Sequence, residues 1–346
     1  MVEWKKLGEV CSFNRGRTIT AKETVEGSVP VIAGGQTPSY YHNEANRTGE
    51  SITVAGSGAY AGFVAYWNQP IFVSDAFTIE PSEKLLHKYV FQWLKMNQQR
   101  VFETQKGAGV PHVHGKDIAG FIIPIPSLSE QDRIVSVLDT FTASIDNLKE
   151  QIAQRRKQYE HYRDQLLDLE GKEGVEMRAL EQLAEIGTGS SNTQDELDNG
   201  KYPFYVRSQI VRWKNEYEFD ETAIITSGDG VGVGKVLHYV EGKYALHQRA
   251  YRIHITSSAL SPKYFFYYMQ KTFYNYIMLN AYAASVTSVR RPMLLKYPVP
   301  IICIEEQSRI VSILDTFEAS ITNLGAQLRE REKQYEYYRN KLLTFE

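Results

Sequence analysis

The chain has 346 residues, 42% of them hydrophobic, with a mean hydropathy of -0.38 and a net charge of -2. No apolar run is long enough to span a bilayer, and the N-terminus MVEWKKLGEV carries no apolar signal core, so the cytoplasm is the expected location. Two cysteines, Cys11 and Cys303, argue against a disulfide framework or a Cys-based zinc site.

In chain order the layout is block, helix, block, helix, with boundaries at 1–129, 130–170, 171–305 and 306–346. The first block has a Gly-rich turn between apolar strands, VAGSGAYAGFVAYW (54–67). A helix then spans 82–102, started by Pro81-Ser82-Glu83, and a strand-like run FIIPIP (121–126) closes the block. The second block repeats this plan with TSGDGVGVGKVLHYV (226–240), a helix started by Ser261-Pro262, and YPVPII (297–302). Val2-Glu3, Leu7 and Gly16 fall on Val175-Glu176, Leu180 and Gly189. The blocks are therefore read as two copies of one α+β domain.

The helical segments are far more alike. EQDRIVSVLDTFTASIDNLKEQIAQRRKQYEHYRDQLLDLE (130–170) and EQSRIVSILDTFEASITNLGAQLREREKQYEYYRNKLLTFE (306–346) align without a gap at an offset of 176, with 26 of 41 positions identical. Such a duplication implies a pseudo-twofold molecule and a bipartite target. Alternating steps of four and three trace a heptad seam through Ile134, Leu138, Phe141, Ile145, Leu148, Ile152, Arg155, Tyr159, Tyr162, Leu166 and Leu169. The second seam is Ile310, Leu314, Phe317, Ile321, Leu324, Leu328, Arg331, Tyr335, Tyr338, Leu342 and Phe345. A parallel, in-register pair would set Arg155 against Arg331, which is costly. An antiparallel pair matches Phe141 with Tyr335 and sets each arginine opposite an isoleucine, Arg155 on Ile321 and Arg331 on Ile145. The fold expected is thus α+β, two similar domains separated by two long helices in an antiparallel coiled coil. A coiled coil used only for dimerisation or spacing is the plainer reading.

The charge does not favour a polyanion partner by itself. Outside the two repeats there are 27 basic and 25 acidic residues (39 minus 12 and 41 minus 16), a surplus of two. Local patches remain possible carriers of DNA binding.

The stretches IPIPSLSEQDRIVSVLDTF (123–141) and VPIICIEEQSRIVSILDTF (299–317), each a Pro-ended strand followed by Glu-Gln and an amphipathic helix, make this chain resemble the specificity (S) subunit of type I restriction–modification enzymes. The resemblance covers essentially the whole chain. Gly34-Gly35-Gln36-Thr37-Pro38-Ser39 and the loop after Gln105-Lys106-Gly107 are looser likenesses, and the second block departs from the first of them with YVRSQIVR (205–212). The resemblance implies a DNA-reading subunit with two target-recognition domains, one for each half of a gapped site. It also implies two methyltransferase (M) subunits and restriction/motor (R) subunits as partners. S-adenosylmethionine, ATP and Mg would bind those partners, leaving no cofactor, no metal and no catalysis in this chain.

The residues agree with that absence of chemistry. No Pro-Pro occurs, so the Asn/Asp-Pro-Pro-aromatic loop of such methyltransferases is missing. GDGVGVGKV (228–236) fails the P-loop pattern at Asp229 and Val236 and reads as a hairpin turn. Glu241-Gly242-Lys243 and Glu170-Gly171-Lys172 lack the upstream Pro-Asp of a nuclease, and His112-x-His114 has no third ligand nearby. Base edges and phosphates are read by polar and basic side chains on loops. The candidate DNA contacts in the first domain are Arg15, Arg17, Gln36, Ser39, Tyr40 and Tyr41, with a second loop of Lys106, His112, His114 and Lys116. In the second domain they are Ser190, Ser191, Asn192, Arg207, Gln209, Arg212 and Lys214, with a second loop of Ser285, Thr287, Ser288, Arg290 and Arg291. An ordinary solvated loop is the bland reading of each, and Trp67 and Trp93 are assigned to the core. Two other functions stay open: a coiled-coil adaptor with two protein-binding heads, and the specificity part of a fused restriction enzyme.

Overall fold

The structure, a computed structural model, describes residues 2–280 and 288–345. It divides into two compact units, Met1–Glu150 with Gly325–Glu346, and Gln151–Leu324. The division cuts each long helix in the middle, so each unit holds one domain and half of each helix.

The first unit runs β1 (Glu3–Lys6), α1 (Leu7–Val10), β2 (Cys11–Arg15), β3 (Val29–Ile32), β4 (Tyr40–His42), β5 (Glu50–Ala55), β6 (Val64–Asn68), β7 (Phe72–Val73) and β8 (Ala76–Pro81). It continues with α2 (His87–Met96), α3 (Gln98–Phe102), α4 (Gly115–Ile118), β9 (Ile122–Ile125) and the start of α5 (Leu128–Leu166). One antiparallel sheet has the order β2-β8-β5-β6, a second the order β4-β3-β7, and β1 pairs with β9.

The second unit repeats the plan as β10 (Glu176–Ala179), β11 (Ala184–Thr188), β12 (Tyr202–Tyr205), β13 (Arg212–Lys214), β14 (Phe219–Ser227), β15 (Leu237–Leu246) and β16 (Ala250–Ile255). Then come α6 (Pro262–Asn280), α7 (Arg291–Leu295), β17 (Pro298–Ile301) and α8 (Ile304–Leu343), whose second half belongs to the first unit. Here one strand, β15, does the work of β6 and β7 together, and the two sheets fuse into one of order β11-β16-β14-β15-β12-β13. In the first domain the sequence Asn68-Gln69-Pro70 interrupts that strand, because proline has no N–H to give a ladder. The Gly-rich segments are hairpin turns, β5 to β6 and β14 to β15, as their spacing predicts.

Two helix starts differ in outcome. Ser261 caps α6 as expected, its Oγ accepting the Tyr264 N–H at 3.5 Å, with Pro262 in the first turn. The start expected at Pro81-Ser82-Glu83 falls later: Pro81 ends β8 and α2 begins at His87. The N–H of Leu86, at the cap position, is held instead by Gln131 Oε1 at 2.9 Å. The helix expected over 82–102 also breaks at Asn97, whose side chain bonds back to the Trp93 carbonyl.

The helices pair antiparallel inside each unit. In the first, Phe141 stacks on Tyr338 with ring centroids 5.2 Å apart and carries the Arg331 guanidinium at 5.8 Å. In the second, Phe317 stacks on Tyr162 at 5.4 Å and carries Arg155 at 5.8 Å. Each phenylalanine thus straddles the layer expected for it, between an arginine and a tyrosine. The expected Phe141–Tyr335 ring pair is not formed, because Tyr335 turns to its domain and donates to Gln92 Oε1 at 2.6 Å. Each seam arginine carries its guanidinium over a phenylalanine, where the ring face offsets part of its desolvation.

Of the predicted seam, Ile134, Leu138, Ile145, Leu148, Ile310 and Leu314 are buried. Phe141, Ile152, Arg155, Tyr159, Leu166, Leu169, Phe317, Ile321, Leu324, Leu328, Arg331, Tyr335, Leu342 and Phe345 are half-buried, while Tyr162 and Tyr338 are exposed. Near the helix ends the buried leucines are Leu167 and Leu343, one step past Leu166 and Leu342. An α-helix drifts against a strict 3.5-residue repeat, and these ends face a domain as well as a helix. Leu343 joins the first domain's core with Leu7, Ile52, Tyr89 and Ile134; Leu167 joins the second's with Leu180, Ile224, Tyr264 and Ile310.

Among the described residues, no helix is long and apolar enough to cross a membrane.

Candidate nucleic-acid interface

All ten candidates of the first domain are exposed: Arg15, Arg17, Gln36, Ser39, Tyr40, Tyr41, Lys106, His112, His114 and Lys116. Four of them, Arg15, His112, His114 and Lys116, meet in one groove of about 740 Å³. Arg15, Gly16 and Thr18 line one part of it, His112, His114 and Lys116 another, and Ser74 with Asp75 a third. These segments are far apart in sequence, and the backbone explains their meeting. The N–H of Gly16 bonds the Ala76 carbonyl (2.9 Å) and that of Gly56 bonds the Asp75 carbonyl (3.1 Å). The Val113 N–H then bonds the Gly56 carbonyl (3.0 Å), which ties the second loop to the hairpin. Lys106 and His112 exchange both backbone bonds, closing a tight turn in which Gly107 has φ +112°, a value that favours glycine.

Within the second loop Lys106 pairs with Asp117 and holds that carboxyl below the usual carboxylate range. Asp117 also accepts the His114 N–H at 3.1 Å, capping α4. His112 and His114 lie with ring centroids 6.3 Å apart and planes 13° from parallel. Among the described residues no group of three His, Cys, Asp or Glu is placed to hold a metal. The Arg17 guanidinium packs over Phe72 at 5.1 Å. Gln36 lines a much smaller cleft with Thr37 and Trp67, and Tyr40 and Tyr41 stand on β4, so these three do not join the main groove. Trp93 is buried, and Trp67 is half-buried with its Nε1–H on Thr53.

The second domain ties its loop the same way. Gly228 N–H bonds the Arg249 carbonyl (2.9 Å), and Val289 N–H bonds the Gly228 carbonyl (2.8 Å), with Ser288 bridged to Asp229. Gly16 and Gly189 are equivalent in fact as well as in sequence: a Cβ on either would come within 2.5 Å of a carbonyl oxygen, Val73's or Leu246's. Arg290 and Arg291 stand exposed at the start of α7, and Ser190 and Gln209 are also exposed. Ser285 and Thr287 lie outside the described residues.

The other candidates of this domain are already engaged. Ser191 is buried and donates to Glu218, and Lys214 Nζ lies 3.0 Å from the same hydroxyl. Asn192 caps the short turn Thr193–Asp195. Arg212 pairs with Glu196 at 2.5 Å. Arg207 pairs with Asp229 at 2.6 Å, and Arg249 reaches the same carboxylate at 3.4 Å. Next to it His247 is buried. Its Nδ1 accepts the Arg249 backbone N–H at 3.0 Å, and burial, then the Arg207 charge, pushes its pKa down.

The sequence reading missed Asp75, Thr18, Asp229 and Arg249. Asp75 and Arg249 each lie just before a strand, next to buried residues, where nothing in the one-dimensional pattern marks a groove. It also missed the residues that mount each domain on its helix. Gln131 and Gln307 are fully buried. Gln131 Nε2 donates to the Lys84 and Pro126 carbonyls (2.9 and 3.0 Å), and Gln307 Nε2 to those of Ala259 and Ile302 (both 2.8 Å). Gln307 Oε1 accepts the Ser261 N–H at 2.8 Å, matching Gln131 and Leu86. Their place in the repeated Glu-Gln was the available signal.

Comparison with known proteins bears on what these paired domains are. A family pattern described as Type I restriction modification DNA specificity domain matches residues 1–155 and again 172–331. The chain belongs to this family, as a type I restriction–modification specificity subunit with two recognition domains. Its relatives include the specificity subunit of the Escherichia coli enzyme EcoR124I/EcoR124II, 29% identical across 99% of this chain and 94% of that one. A putative specificity subunit of Haemophilus influenzae is 25% identical across 99% and 96%. Among solved structures, the S subunit of a type I system from M. genitalium has the same fold, with a TM-score of 0.74 at 17% identity over 100% and 97%.

Proposed function

We propose that this chain is the non-catalytic DNA-reading subunit of a type I restriction–modification enzyme. Each domain binds one half of a gapped duplex site. The two repeated helices carry the methyltransferase subunits and, through them, the restriction subunits. S-adenosylmethionine, ATP and Mg are used by those partners. The helices, roughly 58–60 Å long at ~1.5 Å per residue, set the gap between half-sites.

One observation supports the reading: four of the ten candidates of the first domain, Arg15 from one loop and His112, His114 and Lys116 from the other, converge on one exposed groove. Arg15 and Lys116 offer cations for phosphates, and His112, His114 and Thr18 offer groups for base edges. The matching loop of the second domain is anchored by the same backbone bonds and ends in Arg290 and Arg291.

The test is single-molecule methylome sequencing of a host carrying this chain with its neighbouring methyltransferase gene, with and without the chain. A gapped, two-part motif should lose methylation on deletion, and replacing residues 171–305 with another such domain should change one half of it. Methylation that does not depend on the chain would refute the reading and bring forward a protein-binding adaptor.

A further inference from the structure

The two domains carry opposite charge at one equivalent place, beside the anchored loop. In the first domain the residue whose carbonyl accepts the Gly56 N–H is Asp75, and the Ser57 hydroxyl donates to its carboxylate. In the second the residue whose carbonyl accepts the Gly228 N–H is Arg249, and Asp229, the residue after that glycine, pairs with its guanidinium. So Ser57 and Asp75 in one domain stand where Asp229 and Arg249 stand in the other.

Both side chains are presented, not buried. Asp75 is the one exposed residue in the run Ile71–Ile79, and it lines the groove with Arg15, His112, His114 and Lys116. The Arg249 side chain is 62% exposed. Its neighbour Arg207 makes the shorter bond to Asp229, so Arg249 keeps most of its five donors free.

Chemistry then restricts what each can meet. A carboxylate only accepts hydrogen bonds. Phosphates and sugar oxygens of DNA offer it nothing, and a phosphate beside it is repelled. In the major groove the donors are the exocyclic amines, N4 of cytosine and N6 of adenine. A guanidinium only donates, and its fork matches O6 and N7 of guanine. The basic residues around Asp75 draw the backbone close, and the carboxylate then finds the base amine.

We propose that Asp75 and Arg249 are equivalent specificity-determining residues of opposite preference. Asp75 reads an amine-bearing base, cytosine or adenine, in the half-site of the first domain. Arg249 reads a guanine in the half-site of the second. The proposal rests on the DNA-reading function given above.

The experiment uses the complete chain with its methyltransferase partner. The 171–305 replacement first assigns each half of the methylated motif to a domain. Methylomes are then read for D75N and R249Q. D75N should relax one cytosine or adenine position in the first domain's half and leave the other half unchanged. R249Q should relax one guanine position in the second domain's half only. Binding of wild-type complex to synthetic sites gives a readout that needs no variant. Replacing that guanine by 7-deazaguanine, or that amine-bearing base by its des-amino analogue, should weaken binding roughly 5- to 150-fold, the range of one good base contact. A second-domain half without guanine, variants that methylate the unchanged motif, or loss confined to no single position would each overturn the proposal. If the domain replacement itself changes nothing, the DNA-reading function fails first.

Discussion

Replacing Gln131 by leucine removes a side chain that is wholly buried and makes three bonds, all to backbone: one from Leu86 N–H and two to the Lys84 and Pro126 carbonyls. Leucine keeps much of the volume but leaves three backbone groups without a partner, the Pro126 carbonyl buried and the Leu86 N–H and Lys84 carbonyl partly buried. Each orphan costs about 1–3 kcal/mol, and the added apolar burial returns about 1–2 kcal/mol. The net loss is therefore about 1–8 kcal/mol. For a unit near 170 residues, 1 kcal/mol moves Tm by about 2–4 °C, so a fall of about 2–32 °C is expected. Calorimetry of the purified chain should show it in the transition of the first unit, and Q307L should do the same to the second. The corresponding bonds of Gln307 are as short. A shift under about 2 °C in either variant would refute the idea that these glutamines mount the domains.

Four further outcomes are expected. Arg155→Leu should leave Tm unchanged or raise it by up to about 3 °C, since a half-buried charge gives way to an apolar residue in an apolar seam; a clear fall in the melting scan would show the ring contact to be worth more. Lys116→Gln should reduce the slope of log K against log salt by about 0.9 in a DNA-binding titration of the assembled enzyme, whereas Lys157→Ala, on an exposed helix face, should not change it. In native protein at pH 8 only Cys303 should react with a thiol reagent, because Cys11 is buried and its thiol is pushed up to about 12 by burial and then by Glu80; two equivalents of label would contradict this. The same thiol makes stability pH-dependent. Its folded pKa lies above its unfolded value near 9, so its contribution is whole below pH 9 and is lost as pH rises towards 12. Cys11→Ala should flatten that part of the alkaline melting curve.

The duplication, the heptad helices, the Gly-rich hairpins and the closing strands were legible because each follows a local rule of period or turn chemistry. Phe141 and Phe317 were placed on the seam for that reason, and the antiparallel sense followed from one arginine in each repeat. What a period cannot show is which third body a helix residue meets. Tyr335 left its expected layer because Gln92 of the domain lies within reach of its hydroxyl. The late start of α2 has a similar cause: the cap comes from Gln131, 45 residues along the chain. The groove was half legible. Arg15, His112, His114 and Lys116 are polar residues in loops, which composition marks. Asp75 sits in the short bend between β7 and β8, flanked by buried residues, where only the fold reveals exposure.

The mounting bonds also explain why the helices of this chain stayed alike while its domains diverged. Gln131 and Gln307 hydrogen-bond only backbone atoms of their domains, while the domain helices add side-chain pairs to the same long helices, Lys88 with Asp139, Gln92 with Tyr335, Tyr267 with Asp315 and Gln270 with Tyr159. Backbone N–H and C=O groups are present whatever the side chain. A domain can therefore change nearly every residue of its groove and keep its mount, provided the chain path at 84–86 and 124–126, or 259–261 and 300–302, is kept. The side-chain pairs at the junction stand on α2 and α6, and none of their residues lines the groove of the first domain. On this argument a foreign recognition domain grafted between residues 171 and 305 should melt like the parent if it retains that path, and should fail to fold onto the helix if a single residue is deleted between Ala259 and Ser261. Calorimetry of the two grafts separates the cases, and equal stability of both would show that the backbone mount does not govern the junction.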